Sequence, residues 1–205
     1  MIFSCSFNDG GGVSNMKMRL VVVCLLLLMS AGCSGRFDSE EYFRDNVDMG
    51  AISRIAVLPF QNFTADPNVD ERTRDIATTQ LLASGVADVV DRGLVDSVMA
   101  EEVIDPRLPI DQINMKRLGQ RLNVQAFLLG AVDLSGEKKI GSQSYPVLGV
   151  TLRLVDAQAG MVIWQSSGRW TSETMAGRIL GIRPTDDFHI TLELFDRMIR
   201  TLAGK

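Results

Sequence analysis

The sequence predicts an α/β domain (α+β), with a mixed sheet and helices packed on it. Two observations carry this prediction. In the first half of the domain, short apolar runs alternate with segments of helical period, as strands separated by helices do. In the second half, strand patterns follow one another through turns, which indicates an antiparallel meander. A last helix completes the order β-α-β-α-α-β-β-β-α.

The first half of the domain is divided by turn and cap residues. Residues 54–60 are apolar apart from Arg54 and contain Pro59, so we expect a buried strand there and a polar loop at 61–68. Gly85 is a good stop for a helix that begins at residue 69 or 70. The other predictions are a strand at 86–91 and helices at 93–103 and 111–122. The residues expected to face inward from these three helices are Ile76, Thr79, Gln80, Leu81, Leu82, Leu94, Val95, Val98, Met99, Ile113, Leu118 and Leu122.

The second half contains three predicted strands, at 124–134, 145–155 and 161–171. A polar turn region is expected at 135–144, and a tight turn at 156–160 places Gly160 where φ must be positive. Residues 173–185 are predicted to be irregular. The last helix is expected from residue 186 or 187 to 202, with an inward stripe spaced by four residues: Ile190, Leu194, Met198 and Leu202.

The N-terminal region has the layout of a secretory signal peptide. A cationic start precedes an uncharged apolar run at residues 20–29, which ends in the small residues 30–32. The run is about half of the ~20 residues that a membrane-spanning helix needs. A buried core helix is the alternative, but such a helix should show a polar face and this run shows none. We therefore expect residues 1–32 to be removed.

Cys33 follows these small residues. Residues 31–33 (Ala-Gly-Cys) resemble the lipobox of bacterial lipoproteins, although Ser30 stands where that motif usually has Leu. The resemblance implies cleavage before Cys33 and acylation of its thiol and amino group. It also implies the outer membrane, because Ser34 rather than Asp follows the cysteine. An ordinary exported protein with a stray cysteine is the alternative.

Cysteine usage favours acylation of Cys33. Cys5 and Cys24 lie before the expected cut, so the exported chain would keep one thiol, which is unusual unless the thiol is consumed. Two or more acyl chains give stable attachment to a membrane. We expect residues 33–50 to be the lipidated cysteine and a charged tether, in which Ser39 could cap a short helix. Residues 51–205 are expected to form the periplasmic domain.

Three motifs occur in the order that a known family shows. Residues 55–67 (IAVLPFQNFTADP) resemble the opening of TolB-N-like domains. Residues 91–101 (DRGLVDSVMAE) and 150–164 (VTLRLVDAQAGMVIW) are similar to the periplasmic domain of the curli secretion lipoprotein CsgG and its relatives, a domain type that recurs in LpoB. The resemblance covers residues 54–202 and implies either an adaptor that binds an envelope partner or an oligomeric export channel.

The adaptor is the preferred prediction, because the segments that could cross a membrane are poor. A membrane hairpin needs two strands of ~9–11 residues with alternating apolar side chains. Residues 135–146 are short, polar and carry two lysines, and residues 169–185 contain two internal arginines and a proline. We expect a non-catalytic outer-membrane lipoprotein with an envelope protein partner. An export-channel subunit stays as the alternative, and a homo-oligomer is left open.

The sequence offers little for catalysis, metal binding or nucleic-acid binding. A net charge of -4 gives no basic face for a nucleic acid. His189 is the only histidine and is expected at the surface, so neither a His/Cys metal set nor a Ser-His-acid triad is predicted. Asp66, Asp70 and Glu71 are expected to be a solvated cap and loop rather than a Ca²⁺ site. No cofactor is predicted.

Four residues are predicted to contact a partner. Trp164 and Trp170 lie six positions apart on the last strand and so share a face, where packing in the core is the alternative. Arg178 and Arg183 lie in the mixed apolar and basic segment that follows this strand.

Overall fold

The computed structural model describes residues 36–141, 143–173 and 186–203. These residues form seven strands and four helices. In chain order they are β1 Arg36–Phe43, β2 Arg54–Val57, β3 Gln61–Asn62, α1 Val69–Ser84, β4 Asp88–Val89, α2 Arg92–Glu101, α3 Gln112–Leu122, β5 Ala126–Ile140, β6 Gln143–Asp156, β7 Val162–Thr171 and α4 Asp187–Ala203. A short 3-10 turn, Met49–Ala51, follows β1.

The strands form one mixed sheet in the order β1-β7-β6-β5-β2-β4, with β3 also paired to β5. β2 is parallel to both β4 and β5, whereas β5, β6, β7 and β1 are antiparallel in succession. β2 and β3 lie along the same edge of β5 and are separated by Pro59, which has no N–H to donate. The predicted mixed sheet is confirmed.

Helices cover both faces of the sheet. α1 and α4 pack on one face over a core that includes Leu128, Leu152 and both tryptophans. α2 and α3 pack on the other face over a smaller core around Ala56, Leu58 and Phe127. The inward stripe predicted for the last helix is confirmed, since its members are each 2% exposed or less: Ile190, Leu194, Met198 and Leu202.

Helix ends follow the capping rules. Asp91 and Asp111 accept hydrogen bonds from the backbone N–H of Leu94 and Asn114, at 3.1 and 2.8 Å. Gly85 ends α1 in the left-handed conformation with φ 65°, as predicted. Gly160 has φ 67° in the β6–β7 turn, which confirms the positive φ expected there.

The segment predicted to be a tether forms β1. β1 pairs with β7 along its whole length, from Arg36 opposite Thr171 to Phe43 opposite Trp164. The short helix expected after Ser39 is therefore wrong. Phe37 and Phe43 pack against the core, while Asp38, Glu40 and Glu41 are exposed. Charges of this kind on an edge strand discourage pairing with another chain, and they hid the strand pattern in the sequence.

The polar turn region predicted at 135–144 is also wrong. β5 continues to Ile140 and β6 begins at Gln143, so the two strands form a long hairpin. Polar side chains pair across it, as where Ser144 donates a hydrogen bond to Glu137 at 2.5 Å. Backbone pairing with a neighbour overrides the low strand propensity of this segment.

The predicted inward faces of three helices need correction. In α1 the stripe buried on the sheet is Val69, Thr73, Ala77 and Leu81, and Leu82 is 56% exposed. Thr79 is also exposed. In α2 and α3 the side chains of Leu94 and Ile113 are 48% and 73% exposed. Each helix contacts the sheet through a narrow stripe of side chains, because its buried residues lie along one face of the helix.

Candidate functional site

The structure changes the set of partner-contact residues that the sequence predicted. Trp164 and Trp170 are 0% and 2% exposed, so a partner cannot reach them and the contact role predicted for them is wrong. The register of β7 with β6 places them opposite Leu154 and Leu148, on the face covered by α4. Core packing, the alternative, is what the structure shows.

The other predicted site residues lie outside the described residues. They are Cys33, Arg178 and Arg183. The distance of Cys33 from the sheet is nevertheless restricted, because Ser34 and Gly35 alone separate Cys33 from the first residue of β1. An extended chain of this length spans at most about 10 Å.

The beginning of β1 defines one end of the sheet, which we call the anchored end after the lipid attachment that the sequence predicts at Cys33. Arg36 pairs with Thr171, which in turn pairs with Val147 of β6. The far end of the β5–β6 hairpin lies at the same end of the sheet, since Val147 pairs with Gly136 and the hairpin continues to Ile140 and Gln143.

A groove of about 740 Å³ opens at the anchored end between α1, α4 and the β5–β6 hairpin. Its apolar wall includes Val69, Ile76, Val147, Leu148 and Phe188. Charged residues line it too, and Asp66 and Arg72 among them form an ion pair of 2.5 Å. The described lining contains no histidine or cysteine, and it offers apolar burial rather than a reactive group.

The opposite end of the sheet carries the α2–α3 connection, and we call it the distal end. The side chain of Gln112 donates a hydrogen bond of 3.0 Å to the carbonyl of Ala159 in the β6–β7 turn. Arg117 of α3 binds Glu102, the residue after α2, at 3.0 Å. The connection between the two helices is therefore held beside the β6–β7 turn.

Three exposed apolar side chains lie in this connection or directly after it, with Val103 and Leu108 in the connection and Ile113 in the first turn of α3. Val103, Leu108 and Ile113 are 90%, 61% and 73% exposed. We call them the distal apolar group. The three residues lie within eleven positions of the chain. A contiguous exposed apolar patch marks an interaction site, whereas single exposed apolar residues are ordinary.

Val103 also has a costly backbone. Its φ is 57°, in the left-handed region, at the position after α2 where glycine is usual. The N–H of Ile104 bonds to the carbonyl of Met99 at 3.0 Å, which closes the helix in a Schellman arrangement. A left-handed residue with a Cβ costs about 1–2 kcal/mol. A β-branched, exposed side chain that is kept at this cost suggests a function.

Sequence reasoning missed the distal apolar group because it assigned Ile113 to the core. A signal was present in the segment 103–110 (VIDPRLPI), where two prolines break the helix and four of the eight residues are Val, Ile or Leu. Loops are ordinarily polar, so an apolar loop between two helices indicates either burial or contact with a partner.

Acidic residues near the first loop form hydrogen bonds and ion pairs with other residues of this chain. Asp66 accepts hydrogen bonds from Arg72 and from the N–H of Asn68, and these lower the pKa of its carboxyl, the Arg72 bond most. Glu71 pairs with Arg92. No group of His, Cys, Asp and Glu residues in the described part of the chain could hold a metal ion. His189 is exposed at the start of α4, as expected.

Helices of the described ranges are also too short or too polar to cross a membrane.

The similarity of this chain to known proteins is a similarity of three-dimensional structure. No family model and no curated protein matches the chain. The PelC dodecamer from Paraburkholderia phytofirmans matches with 20% identity, over 83% of this chain and 99% of that chain, at a TM-score of 0.57. Lipoprotein GNA1162 from Neisseria meningitidis matches with 19% identity, over 75% of this chain and 99% of that chain, at 0.54.

A more distant likeness is to the LpoB C-terminal domain from Salmonella enterica, with 17% identity over 61% of this chain and 85% of that chain, at a TM-score of 0.40. The two higher scores show that this chain shares its fold with PelC and with a bacterial lipoprotein.

Proposed function

We propose that this chain is an outer-membrane lipoprotein, anchored through acylated Cys33, whose periplasmic domain binds an envelope protein partner as a non-catalytic accessory factor in assembly or secretion. The observation that carries the proposal is the arrangement of the two ends. The lipobox-like Cys33 immediately precedes β1 at the anchored end, and the distal apolar group lies at the opposite end. The likeness of fold to lipoprotein GNA1162 supports it.

The described residues also support a binding role rather than catalysis. The hydrogen-bonded charged groups described above connect helices to one another or to the sheet. His189 is exposed on α4 and its side chain makes no hydrogen bond within the described ranges. A histidine that acts as a general base normally needs a partner that orients it beside a nucleophile, and His189 has no such partner among the described residues.

The lipid attachment is tested by metabolic labelling with palmitate in a bacterium. We expect the wild-type chain to incorporate the label and to sediment with outer membranes. Cys33→Ala should lose both properties, because acylation needs the thiol. A wild-type chain that is exported without label would overturn the anchor.

The partner contact is tested by photo-crosslinking in cells. A crosslinking residue placed at Ile113 should give a product with one envelope protein. The matched control is Thr79, which is exposed on α1. Equal crosslinking at both positions, or none at Ile113, would remove the distal apolar group as the contact surface.

A homo-oligomer that forms or gates an export channel, as CsgG-like proteins do, is the second candidate function. The likeness to a PelC dodecamer over 99% of that chain favours it. Light scattering distinguishes the two candidates, on the lipid-free domain from Gly35 onward and on the lipidated chain in detergent. A monomer in both supports the accessory factor, whereas a closed ring in detergent supports the channel subunit.

A further inference from the structure

The β5–β6 hairpin extends beyond the rest of the sheet at the anchored end. The last residue of β7, Thr171, pairs with Val147, which lies opposite Gly136. From this level β5 runs on to Ile140, a further ~13 Å at the rise of a β-strand. The chain from Arg36 to Cys33 spans at most about 10 Å from the same level. A membrane that holds the lipid on Cys33 therefore lies within reach of the hairpin.

The end of the hairpin carries a chemistry that suits a membrane surface. Lys138 and Lys139 are exposed, and Ile140 beside them is partly exposed. Lys138 pairs with Glu173 at 2.8 Å. Lys139 has no ion-pair partner in the described part of the chain, so its ammonium is free to bind an anion. Lysines near an anionic membrane are attracted to its headgroups, and an adjacent apolar side chain adds contact with the interface.

We propose that the end of the β5–β6 hairpin, at Lys138, Lys139 and Ile140, rests on the anionic phospholipid headgroups of the membrane that holds the Cys33 lipid. The inference rests on the proposed lipid attachment. It fixes the orientation of the domain, because the acyl chains and the hairpin then hold it at two points. β5 is ~45 Å long at the rise of a β-strand, so its other end and the distal apolar group are directed away from the membrane.

A pair of single-cysteine variants tests this orientation. Acylated Cys33 has no free thiol, and the other cysteines lie before the expected cut. An introduced cysteine therefore supplies the one thiol that reacts with a fluorophore. Gln143→Cys places the label at the anchored end. Gln158→Cys, the matched control, places it in the β6–β7 turn at the distal end. The lipidated chain is incorporated into vesicles of phosphatidylethanolamine and phosphatidylglycerol that contain a headgroup spin-labelled lipid.

We expect quenching at least fivefold stronger at position 143 than at position 158. Replacing both hairpin lysines, Lys138→Glu with Lys139→Glu, should reduce the quenching at 143 by about half, and vesicles of neutral phosphatidylcholine should have the same effect. Lys116→Glu, an exposed lysine on α3, should leave it unchanged. Equal quenching at the two labels, or no effect of the hairpin lysines, would overturn the inference alone. A chain that does not float with the vesicles would overturn the lipid attachment and the inference together.

Discussion

Arg74 is a charged residue in the core. Its side chain is 3% exposed, and its Nε and Nη2 atoms donate hydrogen bonds of 3.2 and 2.9 Å to the carbonyl of Val57. Nη1 donates to Asp96 of α2 at 3.0 Å. Burial lowers the pKa of the guanidinium, and Asp96 opposes that shift. Arg74 thus connects α1 to the end of β2 and, across the edge of the sheet, to α2.

Replacing Arg74 tests this connection. Arg74→Met should lower the free energy of unfolding by about 2–3 kcal/mol, because the Val57 carbonyl and Asp96 lose their charged donor. The matched control is Arg72→Met in the same helix, where the side chain is 56% exposed and solvent screens its pair with Asp66, so the loss of stability should be much smaller. Urea unfolding of the lipid-free domain measures both, and similar losses would contradict the role given to Arg74.

Replacing Val103, whose backbone is strained, should stabilise the domain, whereas replacing Arg74 should destabilise it. Val103→Gly should raise the free energy of unfolding by up to about 1 kcal/mol, since glycine adopts the left-handed conformation without a Cβ penalty. Asn123→Gly is the control, because Asn123 has φ 52° but asparagine tolerates that region. Thermal or urea unfolding measures the change. If Val103→Gly is more stable but loses the crosslink at Ile113, Val103 is needed for partner contact at the cost of stability. If Val103→Gly is less stable, the backbone at residue 103 does not store the strain.

At the scale of elements, ion pairs bind α2 to α3 on the face opposite α1. Glu102 accepts hydrogen bonds from Arg117 at 3.0 Å and Arg121 at 2.9 Å. These bonds hold the pKa of the Glu102 carboxyl below its ordinary value of 4.5, with the Arg117 bond the largest cause. Arg121 also binds Glu101 at 2.5 Å. The pairs fix the α2–α3 connection that carries the distal apolar group.

The pH dependence of stability follows from the direction of this shift. The folded-state pKa of Glu102 is depressed, so its contribution is present above the unfolded-state pKa and is lost as pH falls through the folded-state value. Stability should therefore decline below about pH 4.5, and Glu102→Gln should make that decline shallower. Glu41→Gln, at an exposed residue of β1, is the control. Unfolding free energies at several acidic pH values test this, and unchanged slopes would contradict it.

β1 is the element that the sequence placed outside the domain. Phe37 lies under the guanidinium of Arg197, 5.1 Å from its ring centre, and Phe43 lies 6.4 Å from Trp164. A lipid-free domain that begins at residue 51 should be less stable than one that begins at Gly35 by roughly 3 kcal/mol, from two half-buried rings. It should also associate, because β7 becomes an unprotected edge. Urea unfolding and light scattering test both effects, and equal stability would show that β1 is dispensable.

At the scale of the whole molecule, the short link between Cys33 and β1 decides how the domain is held. In the proposed attachment, the two residues between Cys33 and β1 leave the domain little freedom to turn away from the membrane. A flexible Gly/Ser insertion of ten residues after Gly35 would add a reach of ~17 Å. We expect the fluorophore at position 143 to lose most of its headgroup quenching in that variant, while the chain stays membrane-bound. Unchanged quenching would mean that the hairpin binds the surface without help from the anchor.

Local sequence patterns were enough to predict several features of this protein. The cationic and apolar signal, the cap at Gly85, the turn at Gly160 and the stripe on the last helix all depend on neighbours in the sequence, so pattern and spacing were enough to predict them. The structure confirms Gly85, Gly160 and the stripe, and the signal stays a prediction. The mixed α/β class followed from the order of these elements.

Tertiary structure decided what depends on distant partners. β1 and the continuation of β5 and β6 exist because a neighbouring strand supplies their hydrogen bonds, which charged and polar side chains do not reveal. Trp164 and Trp170 are buried because α4 covers their face of β7, and Ile113 is exposed because α3 meets the sheet elsewhere. Sequence patterns give the polarity of a residue, but its contacts are set by elements far along the chain, and the positions of the anchored and distal ends follow from those contacts.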